Sequence, residues 1–259
     1  MIPKIIHYTW FSGEPFPERV QECIASWHKH MPDWKYILWD YEKVKDIDNE
    51  WLQECLSERK WVFASDYIRL YAVNQLGGVY LDVDCIVYKA FDSLLMNKAF
   101  IGIEKYVHVE SRPTERYLTS HCFGAEAGNE YIARCLSYYT NRHFICSSDE
   151  TLSDTLRYDQ KLLPQIQCEY AKEYGFDSRP SQTKKIIRLA ESVTIYPHEY
   201  FDCVYPTSNT FCRHLVLGSW RVRKQYNENV TLWYKIRYRF DRWFIPLMRN
   251  LGYWIVRND

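Results

Sequence analysis

The sequence predicts an α/β fold, and three observations carry that expectation. Strand-like and helix-like stretches alternate along the early chain, as layered α/β proteins require. A long helical pattern stops at Gly77-Gly78 and leads at once into an apolar strand. At 259 residues, with 47% hydrophobic and 25% charged side chains, the chain is long and apolar enough to close a sizeable core.

Each element follows from its own pattern. "KIIHY" (residues 4–8) reads as a first buried strand, and Pro17 to Met31 as a helix with Pro17 in its first turn, where the missing N–H costs nothing. "KYILWD" (35–40) is a second strand, and Asn49 to Glu58 a second helical region. From Trp61 to Leu76, Ala64, Ile68, Tyr71, Ala72 and Leu76 recur at helical spacing, and the paired glycines supply a left-handed stop. Val79 to Val87 reads as one strand and "KAFIGIE" (98–104) as another. Helical stretches follow near Glu130–Tyr139 and Gln160–Tyr174, and "SVTIY" (192–196) and "CRHLVLGSW" (212–220) close the core.

Lys plus Arg and Asp plus Glu both total 33, so no overall charge points to nucleic acid, and none is expected as a partner. The charge is unevenly placed. Residues 221–257 carry nine basic side chains against Glu228 and Asp241, which leaves the rest of the chain acidic. A boundary is therefore expected near Arg221, dividing a catalytic domain (1–222) from a basic, aromatic C-terminal helical extension (223–259). In that extension Leu232, Trp233, Ile236, Phe240, Trp243, Phe244 and Leu247 share one helical arc, with Lys235, Arg239 and Arg242 opposite. This pattern is expected to lie as a helix on an anionic membrane surface; the alternative is a helix packing its apolar side on the domain. The nine cysteines are odd in number and none has the two-residue gap of a zinc or redox pair, so they read as reduced thiols of a cytosolic protein. With no long apolar run and an opening, MIPKIIHYTW, unlike a signal peptide, the expected place is the cytoplasm, peripheral at the inner face of the membrane.

The chemistry is concentrated in "GGVYLDVDCIVY" (77–88). Asp82 and Asp84 stand two apart inside an apolar run, where an unpaired carboxylate costs several kcal/mol. On a strand, period-two geometry places both on one face. Two hard oxygen ligands on one face suit Mg²⁺ or Mn²⁺ carrying phosphate oxygens. Upstream, Asp66 and Arg69 have the spacing of an ordinary i,i+3 surface pair, worth only about 0.2–0.5 kcal/mol in itself.

Taken whole, "ASDYIRLYAVNQLGGVYLDVD" resembles the family 32 glycosyltransferases, among them bacterial polysaccharide enzymes and initiating mannosyltransferases. "IPKIIHYTWFSG" (2–13) resembles that family's opening strand, "SVTIYPHEYFDCV" (192–204) its late strand and turn, and "HLVLGSW" (214–220) its closing motif. Residues 105–190 are less typical. The resemblance implies a GT-A, Rossmann-like nucleotide-sugar fold. It also implies that Asp84 binds a divalent metal, that Asp82 meets the metal shell or the donor ribose, and that His214 completes the metal site. By the same resemblance Asp66 and Arg69 contact donor-sugar hydroxyls, Ser219 and Trp220 close over the diphosphate, and His7 through Trp10 border the nucleoside. Tyr80, beside the acidic strand, joins the donor-binding candidates, and His121 and Glu126 stand as further cleft residues.

The implied activity is retaining hexosyl transfer from a UDP-hexose or GDP-mannose to a saccharide acceptor. A lipid-linked acceptor in capsular or other surface polysaccharide biosynthesis would suit docking at a membrane. Two rival readings exist. A haloacid-dehalogenase-like phosphatase also uses D-x-D, but wants Thr or Val where Ile86 stands and a later acidic pair that the sequence lacks. A non-catalytic carbohydrate-binding protein of the same fold would have little reason to keep Asp66, Arg69, Asp82 and Asp84 together.

Overall fold

The computed structural model describes residues 1–105, 115–190, 192–203 and 205–217, all within one compact unit, Met1–Leu217. In chain order the elements are β1 (Ile5–Thr9), α1 (Glu18–His30), β2 (Lys35–Trp39), α2 (Tyr41–Val44), α3 (Glu50–Ser57), α4 (Trp61–Leu76), β3 (Gly78–Leu81) and β4 (Cys85–Val87). There follow β5 (Ala99–Ile103), β6 (Leu118–Ala125), α5 (Glu130–Leu136), α6 (Asp154–Arg157), α7 (Leu163–Glu173), β7 (Ile187–Leu189), β8 (Val193–Tyr196) and β9 (Cys212–His214). The expected α/β class is the class observed.

Seven strands form one mixed sheet in the order β2-β1-β3-β6-β5-β8-β7, and β4 pairs with β9 in a separate two-stranded sheet. β1 lies parallel to β2 and β3, β6 runs antiparallel to both β3 and β5, and β8 is parallel to β5. Successive residues of β3 face opposite layers, as a pleated strand dictates. Tyr80 enters a core with Trp51, Ile68, Phe123 and Ile166, while Val79 and Leu81 enter one with Ile6, Trp27, Phe100 and Phe201.

Local chemistry sets the element ends. Asn49 caps α3 by accepting from Leu52 N at 2.9 Å, and Asn129 caps α5 from Tyr131 N and Ile132 N. Pro17 stands just before α1, as its cap, rather than in its first turn. Gly78 (φ +106°) is confined to glycine, because a Cβ there would lie 2.7 Å from the Ile5 carbonyl oxygen of the neighbouring strand. α1 fastens β4 to the body: Trp27 Nε1 donates to Cys85 O at 2.6 Å and Val87 N donates to Ser26 Oγ at 2.9 Å.

Three expectations change. Val79 to Val87 is not one strand; it breaks after Leu81 at a tight turn, closed by Cys85 N donating to Asp82 O at 2.9 Å, and resumes in the other sheet. "CRHLVLGSW" does not finish the large sheet, because only Cys212–His214 is strand and it pairs with β4. β6, at the centre of the sheet, falls in the stretch read as atypical. The extension at 223–259, together with Ser219 and Trp220, lies outside the described residues. Among the described residues no helix is long and apolar enough to cross a membrane.

Candidate active site

The acidic pair occupies the turn where the chain leaves the large sheet for the small one. Because of the turn, the two side chains do not share a strand face; they converge instead through the second sheet. β9 pairs with β4 so that His214 stands opposite Cys85, and one ligand atom each from Asp82, Asp84 and His214 lies within 4.8 Å of the others. Asp84 is buried and fully engaged. One oxygen meets His214 Nε2 at 3.1 Å, and the other accepts from Leu217 N at 2.9 Å. Leu215 N also donates to the Asp84 carbonyl, so the segment after β9 straps this residue twice. Between those two donors Val216 takes a left-handed φ of +52°, which a β-branched residue rarely adopts.

Electrostatics hold the pair ionised. Burial opposes the charge of His214, but the hydrogen bond and charge of Asp84 outweigh it and lift the imidazole to about 9. Burial likewise opposes Asp84, and the bond and charge of His214 bring its carboxyl below the ordinary carboxylate range. The His121 ring stacks on His214 at 4.6 Å; burial first, then the neighbouring cation, press it down to about 4, so it stays neutral.

Beneath the turn lies a second cluster built on α4. Arg69, 5% exposed, donates to Ser120 O at 2.8 Å and to Ser65 O and Oγ, and its Nη2 stands 3.5 Å from both Asp66 and Asp82. Its guanidinium also lies 4.6 Å from the centre of the Tyr80 ring. Tyr80 donates its phenol proton to Asp82 at 2.7 Å, with the Thr9 and Ser65 hydroxyls beside the same oxygen. Asp66, 3% exposed, accepts from Leu163 N at 3.1 Å and so ties the start of α7 to α4. Burial lifts its carboxyl to about 6 against the pull of Arg69.

The structure thus brings Asp66, Arg69, Tyr80, Asp82, Asp84 and His214 into one connected group. Asp66 and Arg69 lie beneath its surface; Arg69 acts on Asp82 through charge, and Asp66 pairs with Arg69. His7 stands apart: it is fully buried, its Nδ1 accepts from Trp39 Nε1 at 3.1 Å and its Nε2 meets the Gly77 carbonyl at 2.8 Å. Both ring nitrogens are spent on joining β2 to the α4–β3 corner. Trp10 is half-buried against Phe16 and donates to Glu14 O. Glu126 pairs with the N-terminal amine rather than with the cluster. His121, named only as a further cleft residue, lies directly against the group.

Two carboxylates and an imidazole suit a divalent cation. The carboxylates are the hard donors that Mg²⁺ and Mn²⁺ prefer, and the imidazole inclines the set toward Mn²⁺. Asp82 and His214 keep partly exposed side chains, which leaves the corner open to a second ligand.

The chain is similar in sequence to known glycosyltransferases. Residues 17–101 match a family described as a glycosyltransferase sugar-binding region containing a DXD motif. Over that stretch the chain is similar to the DXD-containing glycosyltransferases. Inositol phosphoceramide mannosyltransferase 1 of Schizosaccharomyces pombe is 33% identical over 107 residues, which is 39% of this chain and 33% of the relative. The chain thus spans about a third of that relative's length in the match. An uncharacterized glycosyltransferase of Acanthamoeba polyphaga mimivirus is 22% identical over 85% of this chain and 84% of its own length. Among solved structures, the PaToxG glycosyltransferase aligns with a TM-score of 0.46 at 19% identity, covering 66% of this chain and 69% of that one.

Proposed function

We propose that this glycosyltransferase moves a hexose from a nucleotide sugar to a saccharide acceptor with retention of anomeric configuration, using Mn²⁺ or Mg²⁺ held by Asp82, Asp84 and His214. The convergence of those three side chains within 4.8 Å carries the reading. A divalent cation bound there supplies charge neutralisation for the diphosphate that departs as the sugar bond breaks. Arg69 and Tyr80 hold Asp82 in place by charge and hydrogen bond, and Asp66 holds Arg69. To hold the cation His214 would give up its proton, so a bound cation would compete with the Asp84–His214 pair.

The carboxylates of the cluster are each engaged, Asp66 with Arg69, Asp82 with Tyr80 and Asp84 with His214. That favours transfer of the acceptor hydroxyl proton to the departing phosphate oxygen. Mannose is the first donor sugar to try, given the S. pombe relative's name, so GDP-mannose precedes the UDP-hexoses. Trp10, Ser219 and Trp220 are assigned to the nucleotide side. A role in surface polysaccharide synthesis at the inner face of the membrane belongs to the same reading, and rests on the basic aromatic sequence of residues 223–259.

The test is calorimetric titration of the full chain with Mn²⁺ and then with GDP-mannose, UDP-glucose and UDP-galactose. Asp84→Ala should weaken Mn²⁺ binding by on the order of 100-fold, since even an outer partner of a metal ligand commonly costs 10–100-fold. Equal Mn²⁺ affinity in the wild type and the variant would overturn the metal assignment.

A further inference from the structure

Glu104 takes no part in the cluster described above, yet the topology delivers it to the same rim. β3 and β5 run in one direction on either side of the antiparallel β6. Each hands its next residue to β6 in the same manner: Asp82 N donates to His121 O and Glu104 N donates to Tyr117 O, both at 2.9 Å. Glu104 is partly buried, and no described residue hydrogen-bonds its carboxyl. Burial, then the nearby charge of Asp202, lift that carboxyl to about 7. It feels His214 and Asp66 on one side and acts on Cys168 of α7 on the other.

Cys168 and Tyr117 belong to a groove of about 210 Å³ along α7, which Lys161, Gln165 and Lys172 also line. The charges in that groove are paired among themselves, Lys172 with Glu115 at 2.8 Å and Lys161 with Glu169 at 2.5 Å. It offers polar groups and an aromatic ring without a net field, which suits an uncharged polyhydroxyl compound better than an anion. Asp66 ties the start of α7 to the cluster, so the helix that lines the groove is anchored to the acidic corner.

We propose that Glu104 is an acceptor-recognition residue, hydrogen-bonding a hydroxyl of a neutral saccharide that lies between the α7 groove and the Asp82–Asp84–His214 corner. This rests on the glycosyl-transfer reading above. A carboxyl that no described residue engages, near its midpoint at neutral pH, both accepts from and donates to such a hydroxyl.

The experiment compares the full-length wild type with Glu104→Leu and Glu104→Gln. It measures donor affinity by calorimetry with Mn²⁺ and GDP-mannose or UDP-glucose. It measures acceptor KM and kcat with methyl α-mannoside, methyl β-galactoside and methyl β-glucoside, with thermal melts to establish folding. The expected result is an acceptor KM raised tenfold or more in Glu104→Leu, partial recovery in Glu104→Gln, whose amide still accepts and donates, and donor affinity within twofold of wild type. An unchanged acceptor KM, a donor affinity that falls in step with it, or a wild type that binds donor but uses none of the three acceptors would overturn the acceptor role alone. A wild type that binds no nucleotide sugar would overturn the transferase reading and this inference with it.

Discussion

Replacing Arg69 by Met tests the buried cluster most directly. Arg69 is 5% exposed and stands between Asp66 and Asp82 while satisfying the carbonyls of Ser65 and Ser120. Methionine fills much of the volume but leaves the Asp66 carboxyl buried with no cation beside it. Breaking a buried pair by removing one partner costs about 3–5 kcal/mol, because the remaining charge stays out of water. For a domain of this size, about 1 kcal/mol moves the melting temperature by about 2–4 °C. Arg69→Met should therefore melt about 6–20 °C below wild type in a calorimetric scan. If the uncompensated charge is the cause, Asp66→Asn in the same chain should return part of the loss, with a coupling of at least about 1 kcal/mol in the double-mutant cycle. A melting temperature within about 2 °C of wild type, or strict additivity of the two substitutions, would refute the argument.

Other outcomes follow from the same contacts. The Asp66 carboxyl titrates at about 6 in the fold against 3.8 ordinarily, so between those values the unfolded chain releases its proton first. Wild-type stability relative to Asp66→Asn should thus fall as pH rises from about 4 to about 6 and level off above, as read from urea melts at stepped pH. His7→Ala strands Trp39 Nε1 and the Gly77 carbonyl and should cost at least about 2 kcal/mol in chemical denaturation. Its nucleotide-sugar affinity should change far less, whereas a nucleoside-binding role for His7 demands the reverse. Gly78→Ala places a methyl group against the Ile5 carbonyl at a φ of +106°, and should lose more than about 1 kcal/mol by the same measurement.

The parts of the fold that sequence made legible are those whose signal is local. α4 runs from Trp61 to Leu76 as its periodicity and the paired glycines require, and β1, β2, β5 and β8 lie where apolar runs predicted them. β6 escaped because its polar residues find partners only in the folded chain: Thr119 Oγ1 donates to Cys122 O and accepts from Gly102 N, and His121 stacks on His214. No alternation survives when both faces of a strand are buried. The acidic pair was legible by residue type and spacing, although its two carboxylates meet across a turn and a second sheet rather than along one strand. Asp66 and Arg69 carried the pattern of a surface ion pair, and only tertiary burial gives them their weight. Glu104 had one faint signal, a lone carboxylate closing the apolar run "AFIGIE".

The two-stranded pairing of β4 with β9 has a consequence for how the protein matures. His214 and the strap on Asp84 come from the far end of the described chain, while both aspartates belong to its first half. A nascent or truncated polypeptide that stops short of Cys212 can fold much of the large sheet and still present only a pair of bare acids. The proposed cation site is therefore the last part of the domain to be completed during synthesis, and losing that one short strand would remove His214 and the strap from it.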